Sequence, residues 1–176
     1  MDLKEKRLST ELAYKGSFLT IYHDEVIVPN GNRSSREVVR HPGAAGIIAF
    51  VDGKMIIEKQ YRYAVDEVLL EIPAGKRDKG EDTIVTASRE LEEETGYHSD
   101  DLKFLGSVYS SVGFCDEKID IYLAKNLVKT KTSFDQDEII ELEYYTLEDV
   151  KKMIKEGKIK DGKTIAAIGL YMISEE

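Results

Sequence analysis

The hydrophobic and polar positions of this chain fall into short, strand-like stretches separated by turn residues, with only a few segments of helical period. From Phe18 to Val28 apolar residues recur in a strand-like way, Pro29-Asn30-Gly31-Asn32 is a turn signal, and Arg36 to His41 reads as the returning strand. Together they predict an N-terminal hairpin. After a break at Pro42-Gly43, Ala44 to Val51 and Lys54 to Gln60 are two more candidate strands joined at Asp52-Gly53, and Val68 to Ile72 is a short one ending at Pro73-Ala74-Gly75. Further strands are expected at Lys103 to Ser110, Lys118 to Ala124 and Ile139 to Tyr145. The best helix is Asp82 to Thr95: Asp82 or Thr83 offers an N-cap, Gly96 terminates it, and Ile84, Ala87 and Leu91 form one stripe. Thr146-Leu147-Glu148-Asp149 resembles a capping box opening a second helix, and a last helix is expected near Thr164 to Ile173. Short strands joined tightly and interrupted by a few helices predict an α/β or α+β domain with a mixed sheet.

A chain of 176 residues fits one domain, or a core domain with a small appendage. It can bury roughly 70% of its unfolded surface, enough for an apolar core without staples. The formal charge of −9 argues against a nucleic acid or an anionic membrane as the main partner. The longest run free of polar side chains, Gly43 to Val51, is about half of what a membrane-spanning helix needs. The single cysteine, Cys115, cannot close an intrachain disulfide, and Met-Asp-Leu-Lys-Glu-Lys-Arg is charged rather than signal-like, so a reducing cytoplasm is expected.

The acidity is local. Residues 71–97 carry eight acids and four bases, and residues 135–149 carry seven acids and no base, so these two stretches hold more than the whole net excess. On the Asp82 to Thr95 helix, Glu90, Glu93 and Glu94 share an arc of roughly 100°. Like charges at these spacings repel, and Glu93 and Glu94 crowd the negative end of the helix dipole. Stability alone gives little reason for such an arrangement. A hard divalent cation bound through carboxylate oxygens would reverse the repulsion, while a merely solvated acidic face is the bland alternative.

The residues around the cluster decide between these. Gly75, five residues, Glu81, seven residues, Arg89-Glu90-Leu91, one residue, Glu93-Glu94, one residue, Gly96 and Tyr97 together resemble the Nudix box, the signature of hydrolases acting on nucleoside diphosphates linked to another moiety. Tyr97 stands where the pattern usually has an aliphatic residue. Arg89, a permanently charged planar fork, suits holding a glutamate in place rather than touching substrate. The resemblance implies a Nudix fold: a mixed sheet flanked by helices over residues 43–176, with residues 1–42 as an N-terminal β extension. It implies Mg²⁺, with Mn²⁺ able to substitute, held by the Ala74 carbonyl, Glu90 and Glu94, and a catalytic part for Glu93.

Beyond the box, the hairpin with Pro29-Asn30-Gly31, the segment from Arg36 to Gly43, Lys59-Gln60-Tyr61-Arg62, Glu71-Ile72-Pro73-Ala74-Gly75 and the C-terminal helices are similar to the ADP-ribose pyrophosphatase branch. That branch implies hydrolysis of ADP-ribose to AMP and ribose 5-phosphate. It implies substrate contacts from Arg36 and Arg62 to phosphate or ribose and from Glu117 to the terminal ribose, and a homodimer built through the N-terminal strands. An acidic loop far from the box supplies the base in such enzymes, and Asp135-Gln136-Asp137-Glu138 resembles it. Glu138 is the first choice, as base or as an extra metal ligand, with Asp137 or a box glutamate as alternatives for the base. One departure bears on substrate: Ser111-Val112-Gly113 stands where the branch has Ser-Pro-Gly, and valine does not fix the backbone as proline does. Another nucleoside diphosphate sugar, such as GDP-mannose, is therefore the rival substrate. A nucleotide-sensing module without catalysis is a second rival, against which the complete set of box glutamates argues.

Overall fold

The computed structural model describes residues 2–134 and 139–175. The chain forms two units, one of Met1–Pro42 with Tyr109–Lys118 and the other of Gly43–Val108 with Ile119–Glu176. In the first unit, strands β1 (Lys6–Lys15), β2 (Thr20–Ile27) and β3 (Arg33–Val39) form an antiparallel sheet in that order. The β2–β3 turn is the one its sequence predicts, with the Gly31 N–H donating to Val28 O (2.8 Å) and Gly31 at φ 88°. The strand expected from Phe18 starts only at Thr20, because residues 16–19 close a turn in which the Gly16 N–H donates to Leu19 O (2.9 Å). Strand β1 was not anticipated from sequence. It is exposed along its whole length and its pairing with β2 slips twice, so it lacks the buried face that gives a strand its alternation. The 110–117 loop is stitched to the end of β3: the Val39 N–H donates to Phe114 O (2.7 Å) and the Asp116 N–H to Val39 O (3.2 Å).

The second unit is built on a mixed sheet. Strand β4 (Ala44–Val51) turns at Asp52-Gly53, both with positive φ, into β5 (Lys54–Arg62). Strands β6 (Glu67–Glu71) and β7 (Ala74–Lys76) pair with β5 and β4, and helix α1 (Thr83–Thr95) follows. A two-stranded ribbon joins β8 (Tyr97–His98) to β11 (Val128–Lys129). With β9 (Asp101–Tyr109), β10 (Lys118–Lys125) and β12 (Ile140–Tyr145), the main sheet runs β12-β5-β4-β10-β9. Helices α2 (Leu147–Lys155) and α3 (Gly162–Ser174) close the chain. Strand β4 pairs with β10 in parallel and reads as a continuous apolar run because both its faces are covered.

The two faces of the sheet are the two halves of the core. Ile48, Met55, Ile57, Ile119, Ile121 and Leu123 pack with Val150 of α2 and with Ala167 and Ile168 of α3. Ala45, Ile47, Ala49, Ile56, Tyr122 and Ala124 pack with Ala87 and Leu91 of α1. The even-numbered side chains of β5 thus point toward α1 and the odd-numbered ones toward α2 and α3.

Helix ends follow their chemistry. Gly96 takes the left-handed conformation (φ 66°) with its N–H on Glu92 O, and Thr146 Oγ1 accepts from the Asp149 N–H (3.1 Å). Helix α3 starts two residues before its expected position because Asp161 caps it, accepting from the Thr164 N–H (2.9 Å). The stripe expected on α1 is also corrected. Ile84 is exposed, whereas Thr86, Ala87, Leu91, Glu94 and Thr95 are buried, so the covered stripe is partly polar.

Candidate active site

Helix α1 carries its glutamates into one network centred on Arg89. The guanidinium donates from Nη1 to Glu90 (2.8 Å) and Glu93 (2.9 Å), and from Nη2 to Glu81 (3.3 Å) and to the Lys76 carbonyl (3.3 Å). One cation so placed offsets the repulsion that the spacing of Glu90 and Glu93 creates, and it ties the residues before the helix to the helix face. It holds three carboxylates, where the sequence suggested one. Glu81 also accepts from Thr86 Oγ1 (2.8 Å) and the Asp78 N–H (3.1 Å). The Arg89 hydrogen bond, with these others, depresses the Glu81 carboxyl to about 2.

Strand β7 runs close beside these acids. A Cβ on Gly75 would lie 1.8 Å from the Glu90 carboxyl carbon, so only glycine lets backbone and carboxylate approach this closely. One residue earlier, the Ala74 N–H donates to Glu94 Oε2 (3.0 Å). Glu94 is 5% exposed, so the site reaches into the core and does not merely border it.

A second acidic pair adjoins the first. Glu58 and Glu71 are register partners on β5 and β6, and both are buried. Burial pushes Glu58 up to about 8, although Glu94 and the Lys163 charge oppose it. Burial also acts to raise Glu71, but paired bonds from Arg62 (2.7 and 2.8 Å) and the ammonium of Lys163 outweigh it and hold Glu71 below its ordinary value. Sequence reasoning passed over Glu58. Its only signal is a carboxylate closing the run Met55-Ile56-Ile57, at a position whose alternation faces α1.

The other residues expected at a site are distributed as follows. Arg62 lies in the second unit on Glu71. Arg36 lies in the first unit on β3, where it bonds Glu5, Ser34 Oγ (2.9 Å) and the Ser35 carbonyl (2.7 Å). Glu117 belongs to the same unit, 3.4 Å from His41 Nδ1, in the loop stitched to β3. Val112, in that loop, is 79% exposed. Glu138 and Asp137 lie outside the described residues. Their flanks are both held in the second unit: the Ser133 N–H donates to Glu93 O (2.8 Å), and Ile140 pairs with Gln60.

The donor set fits a hard divalent cation. All the candidate ligands are oxygens, and the missing side chain of Gly75 lets the Glu90 carboxylate lie against the β7 backbone beside the Ala74 carbonyl. Among the described residues no three acidic, histidine or cysteine side chains already converge as a cage; Glu90 and Glu93 accept from Arg89, and Glu94 accepts from the Ala74 N–H. No helix among the described residues is long and apolar enough to cross a membrane.

Comparison with known proteins places this geometry in context. The family profile of the NUDIX domain matches residues 40–168, and that of the nucleoside diphosphate sugar hydrolase N-terminal domain matches residues 5–39. The chain is 43% identical over 175 residues to a methanol dehydrogenase activator of Bacillus methanolicus, covering 98% of this chain and 95% of the relative. It is 41% identical over 176 residues to an ADP-ribose pyrophosphatase of Bacillus subtilis, with the same coverage. A crystal structure of an ADP compounds hydrolase matches with a TM-score of 0.86 at 23% identity, over 96% of this chain and 92% of that one, a likeness of fold.

Proposed function

We propose, since this chain belongs to the NUDIX family of hydrolases, that it cleaves the pyrophosphate of ADP-ribose with water, in the presence of Mg²⁺, to give AMP and ribose 5-phosphate. The observation that carries the reading is the α1 constellation: Glu90, Glu93 and Glu81 gathered on Arg89, and Glu94 tied to the Ala74 backbone beside a glycine that leaves room. Glu90, Glu94 and the Ala74 carbonyl would hold the cation, with Mn²⁺ as an acceptable replacement. When bound, it neutralises the diphosphate and makes a nearby water more acidic. The rest is the work of the chain's own groups. Arg89 keeps Glu90 and Glu93 from drifting apart. Glu138 accepts the proton of the attacking water as its oxygen bonds to phosphorus, and the phosphate oxygen of the broken bridge leaves. Arg62 and Arg36 meet phosphate or ribose oxygens, and Glu117 meets the terminal ribose.

The choice of ADP-ribose is supported by the relative of that name. Residues 1–42 serve as the N-terminal extension and residues 43–176 as the hydrolase domain. A panel of ADP-ribose, GDP-mannose, diadenosine polyphosphates and nucleoside triphosphates with Mg²⁺, each repeated with a chelator, tests the reading. ADP-ribose is expected to give the highest kcat/KM, and chelated samples no turnover. ADP-ribose among the poorest substrates would refute the assignment, and turnover without cation would refute the chemistry.

The working form is a homodimer in the cytoplasm. Strand β1 supports the dimer, since it is a sheet edge on which Leu8, Leu12 and Tyr14 are exposed. Cys115, a free thiol, suits a reducing compartment. Light scattering is expected to give twice the 19.9 kDa chain mass, and a monomer at micromolar concentration would remove the dimer from the proposal.

A further inference from the structure

We propose that Glu71, itself clamped by Lys163, is a positioning residue for Arg62, fixing the plane and direction of that guanidinium for substrate. The inference rests on the reading of Arg62 as a contact to phosphate or ribose oxygens and adds the residues that aim it.

Arg62 does not take the acid nearest to hand. Its register partner across β5 and β6 is Glu67, and residues directly opposite on an antiparallel pair present their side chains on one face. An exposed ion pair with Glu67 would be the default. Glu67 instead accepts from Lys160, while Arg62 reaches back along the strand to Glu71, whose own register partner is Glu58. The guanidinium is thereby drawn to the end of β6 from which Ile72 and Pro73 lead to Ala74 and Gly75. There it is held at two points. Nε donates to Glu71 Oε1 (2.7 Å) and Nη2 to Oε2 (2.8 Å), which fixes the plane of the fork as a single bond would not. These bonds use two of the five N–H groups of an arginine, and the side chain is 42% exposed, so donors remain for oxygens arriving from solvent.

Glu71 has little freedom of its own. Its side chain is buried, and the Lys163 ammonium donates to the same Oε2 that accepts from Arg62 Nη2. Lys163 also donates to Asp161 (3.1 Å), the N-cap of α3, whose carboxylate accepts from the Thr164 N–H (2.9 Å) and hydroxyl (2.6 Å). Thr164 Oγ1 in turn accepts from the Ile72 N–H (2.9 Å), so α3 holds both the carboxylate of Glu71 and the backbone beside it. Stability is a poor reason for a buried seat of this kind under a half-exposed arginine, because taking charges out of water costs about as much as their attraction returns. It is what keeps a donor in one orientation before substrate arrives.

Steady-state turnover of ADP-ribose by the full chain at saturating Mg²⁺, read as kcat and KM separately, tests the proposal. Glu71→Gln keeps the side-chain volume but puts an amide N–H₂ in place of one acceptor, which breaks the fork. It is expected to raise KM roughly 10–100-fold, the size of a charge-assisted bond, with kcat within about threefold of the parent. Arg62→Ala is expected to raise KM at least as much. Glu71→Gln added to Arg62→Ala is then expected to change KM by less than about twofold further, since a residue acting through Arg62 has nothing left to act on. A merely structural role would not produce that non-additivity. Parental KM in Glu71→Gln, or a penalty that persists in full on the Arg62→Ala background, overturns the proposal. Lys163→Met removes the clamp and leaves the fork, and it carries the test if Glu71→Gln does not fold: KM is expected to rise about threefold or more, and only while Arg62 is present, whereas a parental KM overturns the proposal. A parent that does not turn over ADP-ribose ends the functional reading and this inference with it. Parental KM in Arg62→Ala ends the substrate contact of Arg62 and this inference with it, while cleavage of ADP-ribose stands.

Discussion

Glu94→Gln is expected to lower kcat for ADP-ribose by at least about 100-fold at saturating Mg²⁺ and to leave the fold intact. Replacing a residue that merely supports a metal ligand costs roughly 10–100-fold, so a ligand itself should cost more. The structure explains why the fold survives. Glutamine has the volume of glutamate, and its amide oxygen can still accept the Ala74 N–H that Glu94 Oε2 accepts now. What disappears is the negative charge at a point 5% exposed, where water screens little and a cation must depend on the protein's own oxygens. Steady-state turnover together with circular dichroism checks both halves. Near-parental turnover in a folded variant would contradict the ligand role, and a variant that does not fold would contradict the isosteric argument.

The site's outline was legible in sequence because its parts are local. The spacing Glu90, Glu93, Glu94 places three carboxylates on one helix face, and in the structure Arg89 joins two of them together with Glu81. Gly75 is a fixed position of the pattern, and the structure gives a steric reason: the Glu90 carboxyl stands where its Cβ would be. What sequence could not show is what neighbouring strands bring. Glu71 meets Arg62 and Lys163 only through the β5–β6 register and the start of α3, and no local spacing encodes that meeting. Strand β1 escaped for the opposite reason. Sequence patterns report burial, and β1 buries neither face within the described chain.

The charge of −9 likewise has an internal explanation. In the second unit acids are matched in place: Arg89 serves Glu81, Glu90 and Glu93, while Arg62 and Lys163 serve Glu71. Cationic side chains thus offset part of the local acid on the box helix and beside it, where a divalent ion would add to them.

Glu138→Gln is expected to reduce kcat by roughly 10²–10⁴-fold while Mn²⁺ affinity and KM change little, which is the pattern of a lost general base. Glu138 belongs to the acidic run 135–138, whose preceding residues are tied to the box helix: the Ser133 N–H donates to Glu93 O and the Thr130 N–H to Gly96 O, both at 2.8 Å. On the other side, Ile140 pairs with Gln60, two residues from Glu58 along β5, and Glu141 accepts from Lys59 Nζ (2.8 Å). Of that run Glu138 is the nearest in sequence to β12, and it is the residue proposed as the base. Asp137→Asn, one position earlier, is the matched control, with turnover expected within a few fold of the parent. Loss confined to Asp137→Asn would move the base to Asp137. Full activity in both variants would return the proton to a box glutamate, with Glu93, which Arg89 already holds at 2.9 Å, as the residue to replace next.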